Sequence, residues 1–336
     1  MKLDRILNGI ALRRLGRLLF LGVAFVLLAT VIRLPPAAPP PGPADARLDI
    51  VPIALDEQDP RRRRVGELVF LRGWALSSPE PRFGAISAMQ VENGRVTALG
   101  DTGTIFRFAV PRAAGSAPLR IELLPRTTGR AKSSHDTEAM LFAGGQAWIA
   151  FERQNGIARF RRADWREESL TQPALMRSWR GNSGPEGMAR LRDGRFLIFS
   201  EGRDNDEPFS PVVLFAGDPA VPDTPAVALR YRRLPGFRVT DAAVMPDGRL
   251  LILNRRFSLL DGASARLVVA ESGRLGAGAI IEGREIAELR SPLAVDNMEA
   301  LSVAREGGRT IVRIASDDNF MGAQRTLLLE FDWPAG

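Results

Sequence analysis

Residues Gly184 to Asn205 read GPEGMARLRDGRFLIFSEGRDN, and this phrase decides the fold because the chain repeats it. It has four parts: a small or acidic residue entering an apolar strand, a turn with glycine, a second apolar strand, and a polar cluster. Earlier copies are FGAISAMQVENGRVTALGDTG (Phe83 to Gly103) and DTEAMLFAGGQAWIAFERQNG (Asp136 to Gly156). Later copies are VTDAAVMPDGRLLILNRRF (Val239 to Phe257) and DNMEALSVAREGGRTIVRIASDDNF (Asp296 to Phe320). Asn93-Gly94, Gly144-Gly145, Asp193-Gly194 and Asp247-Gly248 are turn dipeptides that accept positive φ at low cost. The runs that follow, such as FLIFS and LLILN, are rich in strand formers and too short for helices. Each copy therefore predicts a β-hairpin.

The entering positions are Ser87, Glu138, Glu186, Asp241 and Glu299, separated by 51, 48, 55 and 58 residues. A four-stranded propeller blade with its loops needs about that much chain. The expectation is an all-β propeller, and dividing the length by the period suggests six blades. ELVFLRGWAL (Glu67 to Leu76) and TLLLEFDW (Thr326 to Trp333) are strand-like ends that would pair in one blade and close the ring. No long helical period appears after residue 46.

Outward from the repeats lies a different N-terminus. Leu18 to Ile32, LLFLGVAFVLLATVI, is apolar and follows a basic stretch. At about 15 residues it suits a signal h-region, and with Leu15 and Leu34 it suits a single signal anchor. The basic flank should stay cytoplasmic, which places the rest in the periplasm or outside. PPAAPPPGP, Pro35 to Pro43, reads as an extended spacer. The expected division is thus 1–34 signal peptide or anchor, 35–46 linker, and 47–336 propeller domain, a periplasmic monomer either anchored to the inner membrane or secreted.

The 336 residues carry a formal charge of +7. Six basic and two acidic residues before position 47 supply +4 of it, so no nucleic-acid partner is implied. With no cysteine, thiolate catalysis, disulfides and cysteine-ligated zinc are excluded. With one histidine, His135, so is a multi-histidine zinc site. No G-x-S-x-G elbow is present, and Gly181 to Gly184 leads to no lysine or helix as a phosphate loop would.

FGAIS, DTEAM, PEGMARLRDGRFLIFSE, VTDAAVMPDGRLLILNR and DNMEALSVA with SDDNF, taken in order, resemble the phytase-like family called "esterase-like activity of phytase". The resemblance spans about residues 67–333. It implies an exported propeller distantly similar to calcium-dependent alkaline phytases. Members commonly begin FGG-(I/L)-S, whereas position 85 here is alanine.

In a propeller the innermost strands converge, so a sequence period becomes a ring. The entering acids would meet at one mouth, with a second set after each hairpin: Asp101, Glu152-Arg153, Glu201, Asn254-Arg255 and Asp317-Asp318-Asn319. Crowded carboxylates repel unless a cation or proton intervenes, and calcium suits such all-oxygen donors. The expected calcium ligands are Glu138, Glu152, Glu186, Glu201, Asp241, Glu299, Asp317 and Asp318, with Glu186 and Glu299 also catalytic. Arg153, Arg255, Arg256 and Asn319 would hold a small anionic substrate, with Arg203 a further clamp. His135 is a candidate proton carrier or a loop residue. The same acids would also serve as acceptors for turn backbone and arginines. Three functions stay open: a calcium-dependent hydrolase of phosphoesters or small esters, a tethered non-enzymatic binding propeller, and a lactonase-like hydrolase with one central calcium.

Overall fold

A computed structural model describes residues 43–125, 136–180, 183–202, 207–258 and 260–334. The apolar run at 18–34, most of the linker, His135 and Arg203 lie outside the described residues. Among those described, no helix is long and apolar enough to cross a membrane, and the one helical element is a short 3₁₀ turn at Ala174–Met176.

Everything else regular is strand. Three strands come first: β1 (Ala44–Ile53), β2 (Arg64–Val65) and β3 (Leu68–Ser77). Blade A follows as β4 (Ile86–Glu92), β5 (Arg95–Gly100), β6 (Thr104–Ala109) and β7 (Gly115–Leu123). Blade B is β8 (Thr137–Ala143), β9 (Gln146–Phe151), β10 (Gly156–Arg161) and β11 (Arg166–Thr171). Blade C is β12 (Pro185–Arg190), β13 (Phe196–Ser200), β14 (Phe209–Phe215) and β15 (Ala226–Arg232). Blade D contains β16 (Arg238–Val244), β17 (Leu250–Ser258) and β18 (Gly262–Ala270). Next in the chain is β19 (Ile280–Ile281), which joins blade C by pairing in parallel with β15, and then β20 (Gly283–Arg290), which completes blade D. Blade E is β21 (Asn297–Glu306), β22 (Arg309–Asp317) and β23 (Thr326–Asp332), joined by β3.

The hairpins form where the turn chemistry predicts. Asn93 and Gly94 both take positive φ, 51° and 70°, between the paired residues Glu92 and Arg95, the twist a two-residue hairpin requires. Strands inside the ring are buried on both faces and so read as nearly continuous apolar runs; all five residues of β13, FLIFS, are buried.

The inner strands β4, β8, β12, β16 and β21 pack against one another in that cyclic order, and β21 packs back onto β4. Five apolar clusters occupy the five spaces between neighbouring blades. Trp148 and Phe196, for example, meet between blades B and C with ring centroids 5.1 Å apart. The ring is therefore a β-propeller of five blades among the described residues, where period arithmetic suggests six. The reason lies at the termini. The chain ends do pair as expected, β3 antiparallel to β23, but they complete the blade of the fifth hairpin and supply no sixth. A further stretch of chain goes into β1, which bridges β3 of blade E to β7 of blade A as a shared outer strand. That strand begins at Ala44, inside the stretch expected as linker.

A second tie closes the same seam. The Asp318 carboxylate accepts the Ala85 N–H of blade A at 3.0 Å, the Phe320 N–H at 3.1 Å and the Thr326 hydroxyl at 3.1 Å. Ala85 has φ 48° and is buried. An L-residue in this left-handed region costs about 1–2 kcal/mol, so the departure from glycine at position 85 is a strained one held by a specific acceptor. Removing Asp318 would orphan a buried N–H. Asp318→Ala is expected to lower the unfolding free energy by about 2–3 kcal/mol, measured by urea titration. Asp247→Ala, which breaks an ion pair in an exposed turn, should cost under about 1 kcal/mol. Equal effects would refute the role of the seam.

Candidate functional site

In every inner strand the ladder slips by one residue at the same height. The slips fall between Ile86 and Ala88, Thr137 and Ala139, Pro185 and Gly187, Val239 and Asp241, and Met298 and Ala300. A bulge leaves the extra residue unpaired and re-aims its side chain. The extra residues are Ser87, Glu138, Glu186, Thr240 and Glu299. Ser87 and the three glutamates line one cavity of about 920 Å³. The two hydroxyl residues also tie adjacent blades, Ser87 Oγ donating to the Thr137 carbonyl at 2.7 Å and Thr240 Oγ1 to the Met298 carbonyl at 3.0 Å.

The blade D member of this ring is thus Thr240, one residue before the expected Asp241. Asp241 is buried off the cavity lining and accepts the N–H groups of Leu301 at 2.8 Å and Ala242 at 2.7 Å. Its carboxyl, raised well above the usual range by burial, clamps blade D to blade E. The expected calcium ligand Asp318 is likewise spent on the seam and lies off the lining.

A second ring sits where the second strand of each blade leaves the hairpin. The N–H groups of Asp101, Glu152 and Glu201 bond to the carbonyls of Ala85, Asp136 and Gly184, which sets them at one level. Arg255, opposite Arg238, and Asp317, opposite Asn297, hold the corresponding places in blades D and E. This ring holds four acids and one arginine, and all five line the cavity. With Asp136 and Asp296 the lining among the described residues holds nine carboxylates against Arg238, Arg255 and Arg256.

Arg255 divides the basin. Its Nε lies 2.9 Å from Glu299, one Nη 3.3 Å from Glu201, and the other donates to Asn297 at 2.9 Å. Arg238 reaches the second Glu201 oxygen at 2.7 Å. Burial opposes the Arg255 charge, but Glu299 and then Glu201 hold it protonated and raise its pKa. On this side acids are matched by a fixed guanidinium, so Arg255 serves as a counter-ion and not as the open substrate clamp expected of it.

On the other side the match among the described residues is weaker, a single exposed Arg153 on Asp136. Asp136, Glu138 and Glu152 bring carboxylate oxygens within 4.8 Å of one another. Burial, then the charge of Glu152, raises Glu138 well above its usual range. Burial, then Asp136, raises Glu152 to about 7. Burial and then Glu138 do the same to Glu186, well above the usual range. Glu299 is raised to about 7 by burial against the pull of Arg255, and Asp317 is raised by burial and then Glu299. Close backbone approach makes this crowding possible: a Cβ on Gly184 would lie 2.8 Å from the Glu152 Cα.

Of the expected anion-holding residues, Arg256 and Asn319 line the mouth. Arg153 is off the lining, with its side chain 62% exposed and paired to Asp136 at 2.5 Å. Asp136, Asp296, Arg238 and Thr240 are site or ring residues that the repeat alignment did not single out as ligands. Asp136 and Asp296 each open a copy of the repeat phrase, which is the signal that would have found them.

Residues 81–320 match the model of the phytase-like family, described as "Esterase-like activity of phytase". No curated protein matches the chain. Similar solved structures include a Myxococcus xanthus glutaminyl cyclase, with a TM-score of 0.47 at 10% identity over 79% of this chain and 96% of that one. Another is a nidogen/laminin complex, with a TM-score of 0.40 at 8% identity over 84% and 96%.

The raised acids give a pH dependence with a definite sign. Between about 4.5 and about 7 the folded chain keeps a proton on Glu152 that the unfolded chain releases. Its contribution to stability is greatest below that window and falls as pH rises through it. Without divalent cations, melting should therefore come several degrees higher at pH 5 relative to Glu152→Gln than at pH 8. Scanning calorimetry of both proteins at the two pH values checks this, and parallel profiles would refute it.

Proposed function

We propose a function from one premise: the chain belongs to the phytase-like family, whose model matches most of its length. The basin is read as the site of a hydrolase for small phosphoesters or related esters, working with a bound divalent cation, calcium by donor chemistry. The observation that carries this reading is the cluster of Asp136, Glu138 and Glu152, whose oxygens approach within 4.8 Å while the arginine network serves the opposite side. All-oxygen donors in mixed side-chain lengths suit calcium. Carboxylates forced above their ordinary pKa by burial and one another are stabilised when a cation replaces the proton.

Asp136, Glu138 and Glu152 would hold the ion, with Asp101 and Glu186 beside them. When bound, the cation would polarise an ester oxygen and acidify water. The chain's own groups supply the rest. Glu186, its carboxyl raised by burial and by the charge of Glu138, is shifted toward its protonated form and is suited to give a proton to a leaving oxygen. Glu299, held by Arg255 and raised to about 7, is poised to exchange one in either direction. Arg256 and Asn319 at the mouth orient the anion.

Arg255 also favours a second reading within the same class. Since it already neutralises the Glu201 and Glu299 side, the basin has need of one cation, as a lactonase-like propeller would. The domain is proposed to work outside the cytoplasm, tethered through residues 18–34; resistance of the protein to alkaline extraction from membranes tests the tether.

Calorimetric titration of the full-length protein with calcium is expected to give one site. Glu138→Gln should weaken it at least about ten-fold. Glu186→Gln should retain the ion and lose about a hundred-fold or more in turnover of methyl phosphate, whose alkoxide leaving group needs the proton. No calcium binding by the wild type would sink the reading. Turnover of a lactone but no phosphoester would select the second, and calcium binding without any turnover would identify a binding propeller.

A further inference from the structure

The cavity has two unlike walls. Blades A to C contribute Ser87, Asp101, Asp136, Glu138, Glu152, Glu186 and Glu201. At the mouth, blades D and E contribute Phe257, Ala263, Val295, Met321 and Ala323 among their polar residues. This apolar side follows from an overlong hairpin. β5, β9 and β13 end at Gly100, Phe151 and Ser200, whereas β17 runs four residues past the equivalent Asn254 and pairs with β18 as far as Ser258 and Gly262. Side chains alternate along a strand, so Phe257 shares a face with Arg255 and stands above it toward the mouth. Ala263, its cross-strand partner, lies on that same face.

Phe257 is 66% exposed and Met321 37%, and Leu260 at the hairpin tip is 96% exposed. Single exposed apolar residues are ordinary. Here, however, an aromatic ring and a thioether with three small apolar neighbours face a charged cavity large enough for a small ligand. Water gains nothing from that surface, and an ion alone does not cover it.

We infer that the ligand of this site is an amphiphilic monoester: its anionic head lies toward the Asp136, Glu138 and Glu152 side, and its alkyl or aryl group covers Phe257 and Met321. The inference rests on the cation-dependent reading above for the head group, and on the apolar wall alone for the tail. Charge argues the same way. Nine carboxylates face three arginines across the cavity, and two of those arginines already serve Glu201. One cation would suit a single anionic head, whereas a polyphosphorylated ligand with no apolar part would meet uncompensated carboxylates and leave the apolar wall wet.

The test uses non-hydrolysable probes on the full-length, calcium-saturated protein. Phenylphosphonate should bind at least about ten-fold more tightly than methylphosphonate by calorimetry. Phe257→Ser, at an exposed position, should remove most of that difference while leaving methylphosphonate and calcium affinities unchanged. Myo-inositol hexakisphosphate should not displace phenylphosphonate at equal concentration. Equal phosphonate affinities in the wild type, an undiminished preference in Phe257→Ser, or displacement by the hexakisphosphate would each overturn the inference. Failure of the cation reading is distinguished by the methyl resonance of Met321, assigned with Met321→Leu. Benzyl alcohol, which needs no cation, should shift it with or without calcium, and no shift would overturn the apolar subsite itself.

Discussion

The one-residue bulge at the same height of all five inner strands is the constraint on which the site depends. Without it, strict alternation would send residues 87, 138, 186, 240 and 299 into the spaces between blades, where apolar neighbours wait. With it, a short hydroxyl side chain reaches the carbonyl of the next blade, as Ser87 and Thr240 do, while a longer carboxylate extends into the cavity, as Glu138, Glu186 and Glu299 do. One backbone device therefore makes either a tie between blades or a carboxylate that lines the cavity, and side-chain length decides which.

Gathering carboxylates opposes the fold that gathers them. Glu138 and Glu186 are pushed toward their protonated forms by burial and by neighbouring carboxylates. The chain answers differently on the two sides of the basin. In blade D the ring position that carries an acid in the other four blades carries Arg255, and its guanidinium engages Glu299, Glu201 and Asn297 together. Around Asp136, Glu138 and Glu152 the cation found among the described residues is the outward-facing Arg153 on Asp136. The less neutralised side is where crowding favours protonated carboxyls, and its asymmetry with the Arg255 side gives the basin a direction.

The hairpins were legible in the sequence because alternation and turn dipeptides are local, and each of the five phrases became the inner hairpin of one blade. The second ring was legible too, since Asp101, Glu152, Glu201, Arg255 and Asp317 belong to the polar clusters that close the five repeated phrases. What failed were features fixed by contacts between distant segments. The blade count was overestimated because the chain ends share a blade and β1 bridges two. A bulge has no sequence signature, and so Asp241, more acidic than its neighbour, took the place that belongs to Thr240. Asp318 and Arg153 carry the right charges, but only the fold decides that one faces the seam and the other solvent.

Asp317 and Asp318 show how closely closure and chemistry are joined. They are consecutive, so their side chains leave the strand end in different directions. Asp317 lines the basin, and Asp318 holds the strained Ala85 of the first blade. Two residues further along the chain from Ala85 lies Ser87, the hydroxyl of the bulge ring, and the Ala85 carbonyl accepts the Asp101 N–H, from an acid of the second ring. The seam between the first and last blades is thus built from the immediate neighbours of the site residues. A loosening of that seam would move Asp101, Ser87 and Asp317 apart together, whereas the joint between blades B and C would be left intact. Closure of the propeller is in this sense part of the geometry of the basin, and the anchoring of Ala85 by Asp318 fixes the position of acids it never touches.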